Sequence, residues 1–193
     1  MSDTQPQRAD ARTNRQRILD AAELVFGESG EAASTEDVAR LAGVGIATVF
    51  RHFPTKATLL EAVLVRRFTR LRDQAIGLVD ADDPGQAFFA LFGQIVDDAA
   101  GKIAIADAVV KAGGDQGRAT KASEELQQTV GVLLRRAQDA GAVRADIELA
   151  EVYALLVGTS RASASANLQP DVRARLLAIV FDGLRGQRAE SRS

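Results

Sequence analysis

Two short helical segments on either side of a glycine constrain this fold more than any other feature of the sequence. Ser34 or Thr35 can cap the first helix through its side-chain oxygen. That helix ends before Gly43, which suits a left-handed turn because glycine lacks a Cβ. The second short helix begins near Gly45. Two short helices joined by a tight glycine turn predict a helix-turn-helix motif over residues 34–53.

Helical signals continue along the rest of the chain. Alanine is abundant, β-branched and aromatic residues are sparse, and no long run alternates polar with apolar residues. The four prolines fall at boundaries between the predicted helices. Apart from the two motif helices, helices are predicted at residues 13–28, 57–79, 84–99, 103–110, 120–140, 148–167 and 170–188. We therefore predict an all-α fold of nine helices.

A long, gap-free pattern surrounds the motif. It begins Arg15-x-Arg17-Ile18-Leu19-x-Ala21-Ala22-x-x-x-Phe26-x-x-x-Gly30. It continues Ser34-Thr35-x-x-Val38-Ala39-x-x-Ala42-Gly43-Val44-Gly45-x-Ala47-Thr48-Val49-Phe50-x-His52-Phe53-Pro54-x-Lys56-x-x-Leu59. This pattern resembles the TetR family of bacterial helix-turn-helix transcriptional regulators. The resemblance implies a TetR-like architecture, in which a three-helix DNA-binding head precedes a helical body for ligand binding and dimerisation.

The predicted organisation has four parts. Residues 1–11 form a flexible N-terminal arm, 12–56 the DNA-binding domain, 57–188 the ligand-binding and dimerisation domain, and 189–193 a tail. The helix from residue 57 links the head to the body. Seven apolar residues are predicted to form the core of the head: Ile18, Val25, Phe26, Val38, Leu41, Val49 and Phe53.

The charge distribution is uneven along the chain. A net charge of −2 excludes the strong basic excess of a non-specific DNA-packaging protein. Residues 8–17 and 51–72 are nevertheless locally basic, and a small DNA footprint needs only a few cations at the phosphates. Four arginines of the linking helix are predicted to form a solvated face rather than a DNA contact: Arg66, Arg67, Arg70 and Arg72.

The second motif helix has the composition of a recognition helix. Small residues at its start allow close approach to base edges in the major groove. Gly45, Ile46 and Ala47 provide these, and the latter two can contact a thymine methyl group. Thr48 can hydrogen-bond to a base or a phosphate, and Arg51 can read guanine.

The resemblance adds contacts to the DNA backbone. It places them at Thr35, Thr48, Phe50, His52 and Lys56. His52 and Lys56 can donate to phosphates, and so can the backbone amides next to Ser34 at the start of the first motif helix. Two residues depart from the family pattern. Phe50 replaces a common tyrosine and loses its hydroxyl bond to a phosphate, while Gly45 replaces a common serine and loses a side-chain cap.

The body carries a candidate effector pocket. Phe88, Phe92 and Ile95 recur at helical spacing on one apolar face. Such a stripe is more often plain core, but in the family the central body helices enclose a ligand cavity. Pocket lining and plain core are both open for these residues.

Two helices at the end of the body carry a candidate dimer interface. Ser160 and Ala164 lie in a segment of small residues, which forms either a weak helix surface or a close helix–helix contact. The last helix carries an apolar stripe of Val172, Leu176, Ile179, Val180 and Leu184, of which Leu176, Ile179 and Val180 are the candidate interface residues. This stripe is buried either within one chain or in a four-helix interface between two chains.

The sequence lacks the residues that several classes of function require. The chain has one histidine and no cysteine, and no glycine-rich phosphate loop precedes a Lys-Ser/Thr pair. We therefore predict no enzyme activity, no cofactor and no metal site. The N-terminal residues lack the apolar stretch of a signal peptide, and no run approaches the roughly 20 apolar residues of a membrane span. We expect a cytoplasmic bacterial protein without a membrane partner.

The residues and the resemblance together predict a sequence-specific DNA-binding transcriptional regulator. The expected form is a repressor that binds a palindromic operator as a homodimer and is released by a small-molecule effector. A ligand-independent or activating regulator of the same fold is the alternative. The expected partners are a double-stranded DNA operator, an effector of unknown identity and a second copy of the chain.

Overall fold

A computed structural model describes residues 4–29, 33–115, 117–166 and 168–186 of the 193-residue chain. Within these ranges the chain forms nine α-helices and no strand, which confirms the predicted fold class. They are α1 (Thr4–Ser29), α2 (Thr35–Ala42), α3 (Ile46–His52), α4 (Lys56–Leu78), α5 (Pro84–Asp97), α6 (Ala99–Lys111), α7 (Gly117–Asp139), α8 (Leu149–Ser165) and α9 (Pro170–Leu184).

Helix α1 is longer than the sequence predicts. It begins at Thr4, so the prediction of a flexible arm over residues 1–11 is wrong from Thr4 onward, and residues 1–3 lie outside the described part. Thr13 lies inside the helix and does not cap it. Pro6 does not prevent this because it lies in the first turn, where its missing N–H would have no intrahelical acceptor.

The last helices are shorter than predicted, and α6 begins earlier. Helix α9 ends at Leu184 rather than residue 188, and the predicted tail lies outside the described residues. Gly101 was expected to precede a helix, but it lies inside α6. A glycine within a helix costs about 1 kcal/mol relative to alanine, so packing around Gly101 must justify its presence.

The chain divides into two compact units. The first comprises residues 1–67 and 101–120, and the second comprises 68–100 and 121–193. The predicted boundary at residue 56 therefore does not match the division. Helices α4, α6 and α7 each run continuously from one set of residues into the other.

The core of the first unit confirms most of the predicted head core. Ile18, Phe26, Val38, Val49 and Phe53 are buried, and α1 packs against both α2 and α3. Two of the seven predictions differ.

Leu41 is 55% exposed, because the buried face of α2 is formed by Thr35, Val38, Ala39 and Ala42. Val25 is only half-buried. The periodicity therefore identified the buried face of α2 with an error of one position.

The core of the second unit is built around α5. Asp83 caps this helix by accepting a hydrogen bond from the Gln86 N–H at 2.9 Å, and Pro84 occupies its first turn, as predicted. The buried face of α5 packs against α8, whose Val152 and Leu156 join the same core. Phe88, Phe92 and Ile95 lie in this core.

Candidate nucleic-acid interface

Helix α2 begins with a reciprocal cap. The Ser34 hydroxyl accepts from the Asp37 N–H at 3.1 Å and donates to Asp37 Oδ2 at 2.7 Å. The Ser34 N–H donates to the same carboxylate at 3.3 Å. These bonds, assisted by Arg40, hold the pKa of Asp37 below its usual value. The Ser34 hydroxyl, predicted at the DNA interface, is therefore engaged within α2.

The turn between α2 and α3 has the predicted conformation. Gly43 has a φ of 66°, and its N–H bonds to carbonyls of the last turn of α2. Helix α3 then begins after Gly45, which provides no side-chain cap, and ends at His52. The structure thus confirms a helix-turn-helix with its two helices at the predicted positions.

Helix α3 presents one exposed face around a buried anchor. Val49 is fully buried, and Phe53 follows the helix into the same core. Ile46, Ala47, Phe50 and Arg51 are exposed, which places four predicted DNA-contacting residues on a common surface. We call these four residues the recognition face.

The remaining predicted contacts surround this face with different exposures. Thr48 and His52 are half-buried, while Gly45 is exposed. Thr35 is buried, so its side chain presents little surface. A Cβ at Gly45 would meet no atom within 4 Å, so packing does not require glycine there.

Lys56 has a role within the protein that the sequence did not reveal. Its Nζ donates to the Ala33 carbonyl at 2.7 Å and lies 5.6 Å from the centroid of the Phe26 ring. Lys56 was predicted to bind a phosphate. One of its three N–H donors instead connects the start of α4 to the residue before Ser34, the cap of α2.

Two further contacts that the sequence did not predict hold the motif. Thr55 and Thr58 exchange side-chain and backbone hydrogen bonds at 3.1 Å, which caps the start of α4. The Arg15 guanidinium lies over the Phe53 ring, 5.1 Å from its centroid, and so connects α1 to the end of α3. The spacing Thr-x-x-Thr is a cap signal that could have identified the first of these.

The arginines of α4 pair with carboxylates, and three of the four are half-buried, so the predicted solvated face is wrong for all but Arg70. In the first unit, Arg66 pairs with Asp20 at 2.5 Å and Arg67 pairs with Glu23 at 3.2 Å. In the second unit, the two remaining arginines pair with Asp98 and Glu125. Helical periodicity cannot reveal such pairs, because the partners come from distant parts of the chain.

The predicted effector residues lie in a packed aromatic cluster. Phe88 and Phe92 have ring centroids 6.5 Å apart, and Phe181 lies 5.5 Å from Phe92 in an edge-to-face arrangement. Phe89 lies 4.8 Å from Phe181. All three predicted residues, including Ile95, are buried.

An open cleft of about 580 Å³ lies elsewhere in the second unit. It is lined by Gln138, Gly141, Val143, Arg144, Ala145, Asp146, Asp182, Gly183, Arg185 and Gly186. None of the three residues predicted to line a pocket is among them.

The predicted dimer residues differ in exposure. Ile179 is 71% exposed, whereas Ala164, Leu176 and Val180 are half-buried. Ser160 is buried within its own chain and contributes little to the surface. Of the other two residues of the predicted stripe, Val172 is exposed and Leu184 is buried. Two more large apolar residues, Leu155 and Val157 of α8, are exposed although the sequence did not indicate them.

No group of three or more histidine or acidic residues in the described part of the chain could hold a metal ion. No helix in the described ranges is long and apolar enough to span a membrane.

Comparisons with known proteins match both parts of the chain. Residues 18–63 match the family model described as bacterial regulatory proteins, tetR family. Residues 83–186 match the model described as transcriptional regulator SbtR-like, C-terminal domain.

Solved structures resemble the chain over almost its whole length. A TetR transcription regulatory protein from Mycobacterium vanbaalenii is 39% identical, with a TM-score of 0.76, covering 93% of this chain and 99% of that one. A TetR transcriptional regulator from Streptomyces coelicolor is 38% identical, with a TM-score of 0.74, covering 90% and 99%.

Curated relatives match over a shorter range. An HTH-type transcriptional regulator of Staphylococcus aureus is 37% identical over 67 residues, which are 33% of this chain and 35% of the relative. This match therefore spans about a third of the relative's length.

Proposed function

The chain belongs to the TetR family of bacterial transcriptional regulators, and from this premise we propose that it is a repressor whose homodimer binds a palindromic operator and is released by a small-molecule effector. We further propose that it works in the bacterial cytoplasm and has no enzyme activity.

The observation that carries the proposal is the recognition face of α3. Val49 anchors the helix in the core, so the exposed side chains are held on a rigid element. Ile46 and Ala47 suit close contact with thymine methyl groups, and Arg51 can donate two bonds to guanine. Direct readout of a short sequence is the expected result.

Exposed apolar residues of α8 and α9 support the homodimer. Leu155 and Val157 on α8 and Val172 and Ile179 on α9 are exposed apolar residues, and a second copy would remove them from water. A twofold axis would then present two recognition faces to successive turns of the major groove. The operator should therefore be palindromic.

The second unit is the proposed location of the effector. An effector releases DNA only through a difference in its affinity for the two states of the protein, and such coupling is typically about 1–3 kcal/mol. Phe88, Phe92 and Ile95 remain the proposed contacts. Because these side chains are packed together, effector entry requires them to move apart.

Selection from random DNA duplexes tests the proposal. Purified full-length protein should enrich a palindrome whose bound fraction falls as salt is raised. Arg51→Ala should lose preference for guanine within the site, since Arg51 is exposed and its removal leaves the fold intact. Arg135→Ala, which removes an exposed arginine of α7, is the matched control and should select the wild-type palindrome.

The results separate the parts of the proposal. No enrichment at low salt would refute operator binding by the free protein. An enriched single half-site would refute the homodimer. A reporter gene placed downstream of the palindrome should be silenced by the protein, and higher expression would refute repression.

A further inference from the structure

The Arg67 guanidinium lies between α1 and α6 inside the first unit. The Arg67 side chain is 11% exposed, and that of its partner Glu23 on α1 is 13% exposed. A Cβ added at Gly27 of α1 would lie 3.5 Å from Nη2. Glycines and a carboxylate therefore surround a charged group that is mostly removed from water.

Gly101 of α6 makes room for this guanidinium. A Cβ at Gly101 would overlap Arg67, lying 2.9 Å from Cζ and 3.1 Å from Nη2, with Nη1 closer still. To make room for that Cβ, the guanidinium would have to leave its place beside Glu23. This close approach explains why α6 contains a glycine that disfavours its own helix.

A second ion pair, between a buried carboxylate and an exposed arginine, holds the next part of the same unit. The Glu61 carboxylate on α4 is buried and accepts two hydrogen bonds from Arg118, at 3.0 and 2.6 Å. Arg118 lies in the first turn of α7. Residues 101–120 are therefore held to the first half of α4 at both of their ends.

We propose that Arg67 is a positioning residue that locks the Gly101 end of α6 to helix α1 of the DNA-binding motif. A displacement of α6 then reaches α1 through Glu23, and α1 carries α2 and α3 because it packs on both. This inference rests on the proposed function for its consequence at the operator, but the lock itself does not depend on DNA.

Hydrogen exchange of the full-length protein tests the lock without DNA. Gly101→Ala should raise amide exchange at least about tenfold in peptides from 18–26 and from 101–111, because a partly buried ion pair is lost. Gly77→Ala is the matched control: Gly77 is also in a helix, and its added Cβ would meet nothing within 4 Å. It should slow exchange or leave it unchanged. Equal behaviour of the two variants would overturn the lock.

Repeating Gly101→Ala in Arg67→Ala protein distinguishes an effect through Arg67 from a general loss of stability. In Arg67→Ala protein, Gly101→Ala no longer overlaps a guanidinium, so only helix propensity remains. The substitution should then reduce exchange in 101–111, by about fivefold. A loosening of the same size in both backgrounds would show that Arg67 does not mediate the effect.

A milder pair of variants covers the case in which Gly101→Ala does not fold. Glu23→Gln and Asp20→Asn each remove one acidic charge of α1 that pairs with an α4 arginine. Of these two acids, only Glu23 pairs with an arginine that also lies against α6. Glu23→Gln should therefore raise exchange in 101–111 and Asp20→Asn should not, and the same response in both would refute the lock.

Operator binding then tests the transmission. With the selected palindrome as probe, Gly101→Ala should weaken affinity about tenfold, within the usual range of coupling between sites, while Gly77→Ala should not. Loosened exchange with unchanged affinity would overturn the transmission. If wild-type protein binds no palindrome, the proposed function fails, and the exchange results still decide the lock.

Discussion

Truncation of Phe92 decides between the two interpretations of the α5 aromatic residues. Phe92 is 2% exposed and meets Phe88 and Phe181 edge-to-face. Full burial of such a side chain contributes about 1.5–3 kcal/mol, and each aromatic contact adds about 0.5–1.5 kcal/mol. Phe92→Ala should therefore lower the free energy of unfolding by about 3–5 kcal/mol, the usual cost in a packed core.

The assay is thermal and urea unfolding followed by circular dichroism. For a chain of this size the change corresponds to a fall in Tm of roughly 6–20 °C. Phe50→Ala is the matched control, because Phe50 is 42% exposed and its loss should change stability by less than about 0.5 kcal/mol. Benzene should partly restore the Tm of Phe92→Ala, since an apolar cavity of this kind binds apolar ligands.

The refuting result is a small loss. If Phe92→Ala costs less than about 1 kcal/mol, the ring lacks packing partners on one side, and the residue lines an existing cavity. The plain-core interpretation would then be wrong, and effector entry would need no separation of the aromatic side chains.

Three further predictions concern the motif and the interface. Phe50→Tyr should tighten binding to the selected palindrome about tenfold, because a hydrogen bond from the hydroxyl to a charged phosphate is stronger than one between neutral groups. Fluorescence anisotropy measures this affinity, and equal affinity would place the ring away from the DNA backbone. Because the pKa of Asp37 is lowered, its contribution to stability is complete above the usual carboxyl pKa and is lost as pH falls through the lowered value. Asp37→Asn should therefore reduce the fall in Tm between pH 7 and pH 3. An unchanged fall in Tm would contradict the stabilising role of the Asp37 carboxylate. Ile179→Glu should give a monomer in sedimentation at micromolar concentration, whereas Ile76→Glu on α4, also exposed, should leave the dimer intact; a dimer in both would move the interface away from α9.

Local features of the sequence determined the helix-turn-helix. The Ser34 cap, the left-handed Gly43 and the start of α3 after Gly45 all depend on hydrogen bonds and backbone angles within a few residues. Such signals can be recognised in the sequence, because each of these residues contacts partners only a few positions away in the same helix or turn. The same holds for Asp83 and Pro84 at the start of α5.

Tertiary contacts decided what local patterns left open. The sequence placed Leu41 in the core and Arg67 in water, and the structure reverses both, because neighbouring helices determine which side of a helix is covered. The sequence placed Gly101 before a helix, yet α6 continues through it, and the missing side chain leaves room for Arg67. Charge pairs such as Glu23–Arg67 join residues far apart in the chain. Periodicity cannot identify them, since it describes the face of one helix and contains no information about the element that packs on it.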